Sequence, residues 1–338
     1  MNPAPSSNYI PVREDWLALH QEEILEPHLP IVDAHHHFYD RPGWTYLAGD
    51  YLADARSGHN VRASVYMQAL TRYRTEGTEA LKPVGETEFV VASTAAADEV
   101  QVAQGIVGYA NLRLGAAVRE VLEAHLEAGQ GRFRGIRHLT TWDAHPSLVN
   151  PLSAAPRGLL LDRVYREGVA QLAPLGLSYD AWLFFPQLPE LLDLAKAFPD
   201  TPIVVNHCGG IVRIGAYEQR RPEIFGLWSK AMRELAALPN VCVKLGGLGM
   251  RINGFDFEQG EQPPTSQHLA DTWTPWMHTL IEAFGAGRCM FESNFPVDKG
   301  SYSYATVWNA FKRLSAGASI AERQALFEGT ARRVYQLD

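Results

Sequence analysis

The sequence predicts an α/β protein: a closed (β/α)8 TIM barrel, residues 31–338, behind an N-terminal arm, residues 1–30. Three observations point there. From residue 31 onward, short apolar and β-branched runs alternate with amphipathic stretches, the pattern of parallel βα units. There are eight such runs, the number that closes this barrel. Connectors leading into the runs are short, whereas several leaving them are long, which gathers the long loops on one face.

Taken in order, the arm is interrupted by Pro3, Pro5, Pro11, Pro27 and Pro30, with one short helix expected around Trp16–Leu25. The strand candidates are Ile31–Phe38, Val61–Gln68, Gly105–Leu112, Phe133–Leu139, Leu177–Phe184, Ile203–His207, Val241–Leu245 and Cys289–Asn294. Their continuous apolar character suits strands buried on both faces. Between them, Pro189–Phe198 sets Leu191, Leu192, Ala195 and Phe198 on one helical face, and Glu223–Leu238 does so with Ile224, Trp228, Met232 and Leu235. The long connectors are Tyr39–Asn60, Thr140–Pro156 and Gly246–Pro275. A doubly wound open sheet is the rival fold, but no G-x-G-x-x-G follows the first strand.

Composition narrows the function. The 338 residues are 46% hydrophobic and 20% charged, with 30 Lys+Arg against 38 Asp+Glu and a net charge of −8. No basic run offers a face for phosphates, so nucleic acid is not an expected partner. No apolar run reaches the ~18 residues of a membrane span, and MNPAPSSNYIPVRED lacks the pattern of a secretory signal. Cys208, Cys242 and Cys289 are scattered and odd in number, which argues against disulfides or a thiolate zinc site. A cytoplasmic enzyme with a small-molecule substrate is expected, with a homo-oligomer left open.

Three segments carry chemistry. In Ile31-Val-Asp-Ala-His-His-His-Phe38, the two-residue period of a strand puts His35 and His37 on one face, with Asp33 below them and His36 opposite. Two such imidazoles hold a metal or polarise a carbonyl. In Val204-Val-Asn-His-Cys-Gly-Gly210, His207 ends the sixth strand, and Gly209 and Gly210 would let backbone amides approach a ligand. Cys289-Met-Phe-Glu-Ser-Asn-Phe-Pro296 ends the eighth.

The set of D-x-H-x-H, G-I-R-H-L, N-H-C-G-G and S-N-F-P-V resembles the amidohydrolase superfamily. More narrowly it is similar to the amidohydrolase-2 branch, which contains pyrone-dicarboxylate lactonase and sugar lactonases. Ala325-Leu-Phe-Glu-Gly-Thr-Ala-Arg-Arg-Val-Tyr335 resembles that branch's C-terminal helix. The resemblance implies a barrel that opens a cyclic ester, with decarboxylation in sister groups. It also implies an Asp base two residues before the Pro of the last motif, where this chain has Asn294. An amide is no base at neutral pH. Glu292 shares the strand face of Asn294 and is either the base or a buried partner of Lys244; Asp298 lies in the loop beyond.

His35, His37 and His207 with a carboxylate would make a mononuclear site, zinc by its ligand type, and the resembled lactonase works without metal. The fifth strand carries Tyr179 and Asp180 and no His, so a two-metal site is not expected. The catalytic candidates are His35, His37, His207, Glu292 and Asn294. Arg137, His138, Trp142, His145 and Tyr179 are the candidates for substrate contact. Arg72, Arg74, Arg113, Arg213 and Arg251 follow other strands and suggest a substrate carboxylate. Trp44, Tyr46, Phe255, Phe257, Trp273, Trp276 and Tyr302 lie in or beside long loops. A lactonase is the leading expectation, with a decarboxylase of an aromatic or muconate-type acid as the alternative and a catalytically weak binding protein third. Each requires His35, His37, Arg137, His207 and Glu292 or Asn294 to converge at one end of the barrel.

Overall fold

The computed structural model describes residues 9–95, 99–149 and 155–338. Residues 1–8 of the arm, with Pro3 and Pro5, and residues 150–154 of the Thr140–Pro156 loop lie outside them. Eight parallel strands form one sheet in sequence order: β1 Pro30–His36, β2 Asn60–Met67, β3 Gln101–Gly108, β4 Phe133–Arg137, β5 Ser178–Ala181, β6 Ile203–Val205, β7 Val241–Leu245 and β8 Cys289–Phe291. A parallel bridge between His36 and Phe295 closes it. There the His37 N–H donates to the Phe295 carbonyl at 2.8 Å and the Asn294 N–H to the His35 carbonyl at 2.9 Å. Helices surround the sheet, so this is the (β/α)8 barrel that the alternation predicts.

Most predicted strands stop two or three residues early, at His36, Arg137, Ala181, Val205 and Phe291. The residues beyond leave the ladder to form the loops of the barrel mouth. The third strand is displaced: it starts at Gln101, and Leu112 begins a 3-10 turn capped by the Asn111 side chain. The two predicted helices run Leu188–Ala197 and Arg221–Ala236. In the second, Ile224, Trp228, Met232 and Leu235 are all buried, as the three-and-four spacing requires.

The interior of the barrel is a separate apolar cluster that includes Val32, Ala34, Val65, Met67, Val107, Val204 and Met290. Tyr335 and Leu337 close its lower end, with the Tyr335 hydroxyl donating to Asp180 at 2.7 Å. In the arm, the expected helix around Trp16–Leu25 is a single turn, Glu14–Leu17. The chain after it satisfies its polar groups on neighbouring helices instead. The Leu25 N–H donates to Asn309, Lys312 donates to the Leu25 and Glu26 carbonyls, and Glu22 accepts from the Ser266 N–H. Among the described residues, no helix is long and apolar enough to cross a membrane.

Candidate active site

The site begins with a bulge. Asp33 pairs with Ser64 and His36 with Tyr66, so three steps on β1 match two on β2. The extra residue resets the alternation. His35 therefore turns into the barrel, while Asp33 turns outward, which corrects the expectation of a shared face. Asp33 accepts from the Ser293 N–H and hydroxyl at 2.9 and 2.7 Å and from the Tyr51 and Tyr304 hydroxyls at 3.1 Å. Burial pushes its pKa up to about 6. His36 lies opposite, stacked on Tyr51 at 3.9 Å and bonded to the Ser64 hydroxyl at 2.9 Å.

His207 reaches the same centre through an unusual turn. His207 and Cys208 are left-handed, at φ 51°, and Gly209 and Gly210 continue the turn. A Cβ on Gly210 would stand 1.8 Å from the Leu183 carbonyl, and one on Gly247 would stand 2.2 Å from His207 Nδ1. Gly247 makes room for the imidazole, and Gly210 lets the turn pass against the Leu183 carbonyl. Gly209 and Gly210 pack on protein rather than presenting amides to a ligand.

Around His35 the hydrogen bonds do not close. The Met67 carbonyl, 2.8 Å away, only accepts, so His37 carries its proton on Nδ1 and a lone pair on Nε2. That lone pair lies 3.1 Å from His35 Nε2, which also faces Arg137 at 3.2 Å. The other nitrogen, His35 Nδ1, lies 3.4 Å from the Lys244 ammonium and 2.8 Å from Glu292 Oε2. The Glu292 contact is off the line of a hydrogen bond, and that buried oxygen has no hydrogen-bond partner. With its proton on Nδ1, His35 sets two lone pairs against each other at His37. With the proton on Nε2, it does so at Glu292 instead. A metal ion, or a proton on Glu292, would relieve the mismatch. His35, His207 and Glu292 offer ligand atoms all within 4.8 Å of one another, a nitrogen and oxygen set suited to a divalent ion.

Burial sets the protonation of this centre. It holds His35, His37 and His207 well below the usual imidazole range and pushes Glu292 up to about 8. Glu292 Oε1 accepts from His207 Nδ1 at 2.7 Å and from the His207 N–H at 3.2 Å. Lys244 pairs with Asp180 at 3.1 Å, so it is not simply Glu292's ion-pair partner. Asn294 donates its amide to Asp298 at 2.8 Å, leaving its Oδ1 buried without a partner. Asp298 also accepts from the Tyr302 hydroxyl and the Gly249 N–H, and burial raises it to about 7.

A cleft of about 770 Å³ opens over these groups. His37, Gln68, Arg137, His207 and Asn294 form its floor. Glu292 and Asp298 are not in its lining: each carboxylate stands one residue behind, Glu292 behind His207 and Asp298 behind Asn294. Of the residues expected to touch substrate, only Arg137 lines the cleft. Its neighbour His138 points the other way, packing on Tyr109 and Tyr165. Tyr179 bonds the Tyr165 hydroxyl at 2.8 Å, also away from the cleft. Trp142 lies under Arg157, and His145 pairs with the Ser147 hydroxyl. Arg72, Arg74, Arg113, Arg213 and Arg251 are likewise outside the lining, Arg72 and Arg74 being paired with Asp40 and Glu88. So are the seven loop aromatics from Trp44 to Tyr302.

Sequence reasoning missed Tyr9, Tyr39, Arg41, Gln68, Trp182 and Phe184, which all line the cleft. A signal existed for three of them. Gln68 ends the second predicted strand, and Trp182 and Phe184 end the fifth with two-residue spacing. Tyr9 and Tyr39 belong to the arm and to a small hairpin, Tyr39–Arg41 with Trp44–Tyr46, and neither has a barrel period.

Comparison with known proteins follows the same lines. A family model described as Amidohydrolase matches residues 32–337. An uncharacterized protein, y4mH, of Sinorhizobium fredii is 37% identical over 297 residues, covering 87% of this chain and 86% of its own length. An L-fucono-1,5-lactonase of Burkholderia multivorans is 30% identical over 316 residues, covering 90% and 96%. Among solved structures, an amidohydrolase from Burkholderia multivorans with bound zinc superposes with a TM-score of 0.70 at 26% identity, over 91% of this chain and 99% of that one.

Proposed function

The chain belongs to the amidohydrolase family, and on that footing we propose that it is a hydrolase that opens a small lactone. The observation that carries this reading is the group at the cleft floor, where His207 opens to the cleft in front and is held by Glu292 behind. The relatives named as L-fucono-1,5-lactonases support the same chemistry. The zinc-bound relative supports a divalent ion here. His35 and His37, whose Nε2 atoms stand 3.1 Å apart, would hold it rather than the His35, His207 and Glu292 set, because His207 Nδ1 and Glu292 Oε1 already face each other at 2.7 Å; Glu292 would balance its charge. When bound, the ion supplies Lewis-acid polarisation of the ester carbonyl and acidifies water.

The remaining work falls to side chains. Arg137 donates to the Gln68 carbonyl and side-chain oxygen at 2.6 and 2.7 Å, fixing the floor on which the ester rests. Asn294 Oδ1 accepts a hydrogen bond from the attacking water and orients it without taking its proton. The water's other proton passes to His207 Nε2 as the Nδ1 proton passes to the ionised Glu292 carboxylate, 2.7 Å away. The water oxygen bonds to the carbonyl carbon. The ring C–O bond then breaks, and the relay returns its proton to the departing alkoxide, giving an open hydroxy acid. His207 thus serves as proton acceptor rather than as the third metal ligand.

The test is lactone opening followed with a pH indicator, with His207→Asn beside the native protein. The variant is expected to lose ~10²–10⁴-fold in kcat. Full activity would remove His207 from the relay, and release of CO2 from a substrate acid without ring opening would favour the decarboxylase reading.

A further inference from the structure

We propose that Gln68 is a catalytic residue: its side-chain amide donates to the ester's carbonyl oxygen and stabilises the negative charge that gathers there as water adds. The proposal rests on the hydrolase reading above and adds a substrate contact that the histidines do not supply. Gln68 directly follows β2 and is 1% exposed. Its other polar groups are engaged. The backbone N–H donates to the Val107 carbonyl at 2.8 Å. The Gln68 carbonyl accepts from Arg137 at 2.6 Å, and Oε1 accepts from two nitrogens of the same guanidinium at 2.7 and 3.2 Å. A guanidinium only donates, so it fixes which end of the amide is oxygen. What remains is Nε2, a buried donor without a partner, on a side chain that lines the cleft.

The rest of the floor shows why a donor is needed there. His37 carries its proton on Nδ1, toward the Met67 carbonyl, and His207 directs Nδ1 to Glu292, so both present Nε2 lone pairs. Asn294 adds Oδ1, another acceptor. An ester oxygen gaining charge against these three would be repelled. His37, His207 and Asn294 follow β1, β6 and β8, whereas Gln68 follows β2 and Arg137 ends β4. The floor is thus divided, with acceptors for the attacking water on one half of the barrel and donors for the carbonyl oxygen on the other. Arg137 holds Gln68 by backbone and side chain together, so the donor is in place before the charge appears. Such preorganisation is what makes a single N–H effective in a transition state.

The experiment compares native protein, Gln68→Glu and Gln68→Met, with zinc added, on a 1,5-lactone and on its thiono counterpart, in which sulfur replaces the carbonyl oxygen. The lactone is an aldono-1,5-lactone or δ-valerolactone, whichever the native protein opens faster. Gln68→Glu keeps an oxygen for Arg137 and loses the donor. It should hold the native Tm to within about 4 °C, while kcat falls ~10²–10³-fold and KM changes less than ~3-fold. Gln68→Met removes the donor without adding charge and should lose a similar factor on the lactone. Sulfur is a weak hydrogen-bond acceptor, so Gln68→Met should open the thionolactone within ~10-fold of the native rate; damage to the floor would slow both substrates alike. Should Gln68→Met fail to fold, the kcat and KM of Gln68→Glu decide. An undiminished kcat in Gln68→Glu, or equal losses on the two substrates in folded Gln68→Met, overturns the assignment and leaves the hydrolase reading standing. If the native protein opens neither lactone, the hydrolase reading fails and this inference with it.

Discussion

Replacing Glu292 by Gln separates catalysis from structure at the inner end of the proposed proton relay. The carboxylate accepts from His207 Nδ1 at 2.7 Å and from the His207 backbone N–H at 3.2 Å, both through Oε1. An amide oxygen accepts the same two bonds, so the imidazole stays seated. Because burial raises Glu292 to about 8, the metal-free protein holds it mostly protonated at neutral pH. There the swap exchanges one neutral group for another of the same shape, so in acid, where the unfolded carboxyl is protonated too, the stability change should stay within ~1 kcal/mol. Catalysis is different, because an amide cannot take the proton that His207 passes on. The expected loss in kcat is ~10²–10⁴-fold, or roughly 2.7–5.4 kcal/mol in the barrier. The pH dependence has a definite sign. A carboxyl with a raised pKa contributes stability that is present below the ordinary carboxylate range and lost as pH rises through about 8. Gln abolishes that loss, so the variant should gain on the native protein as pH rises from the ordinary carboxylate range to about 8 and hold that gain above it. Initial rates of lactone opening and urea unfolding, measured on native and variant protein from about pH 6 to pH 9, check both halves. A fully active Glu292→Gln refutes the relay, and a variant already unfolded at neutral pH refutes the structural half.

Other consequences are as direct. Asp298→Asn, altering a carboxylate behind the cleft, should cost less than ~10-fold in kcat, and a larger loss would make it the base. Arg137→Lys keeps the charge but loses the fork on Gln68; a fall of ~1–3 kcal/mol in unfolding free energy is expected, with kcat reduced rather than KM raised, and the reverse split would restore a substrate carboxylate to that position. Glu86, which accepts from the Tyr66 hydroxyl and the Ala69 N–H, is raised to about 7 by burial. Its stabilisation is therefore lost as pH climbs from the ordinary carboxylate range through about 7, and Glu86→Gln should flatten the native Tm-versus-pH curve over that interval. Chelation should lower Tm, with zinc restoring it; a Tm indifferent to both would argue against a resident ion.

The barrel and the gathering of His35, His37, Arg137, His207, Glu292 and Asn294 at its mouth were legible because strand period and loop length are local signals. What failed was extrapolating that period past the last ladder bond. Asp33 was misplaced by one inserted residue. His138 and Tyr179 were placed in the cleft by nearness to strand ends, although a neighbour on a strand faces the opposite way from Arg137. The role of Glu292 turned on depth, which spacing does not encode: two residues back along a strand sets it behind an imidazole. Tyr9 could not be assigned at all, since its place depends on the arm lying across a barrel it is not part of.

The seam between β1 and β8 bears on the order of folding. Ser293 and Asp33, which clasp it, are 260 residues apart in the chain, and each doubling of a closed loop adds only ~0.6 kcal/mol of entropy cost. The clasp is therefore affordable, but long-range contacts of this kind form late and slowly. Since His35 and His37 lie on one side of the seam and Glu292 and Asn294 on the other, a chain with every helix in place and the seam still open would have no active centre. Recovery of activity during refolding would then trail recovery of helical signal.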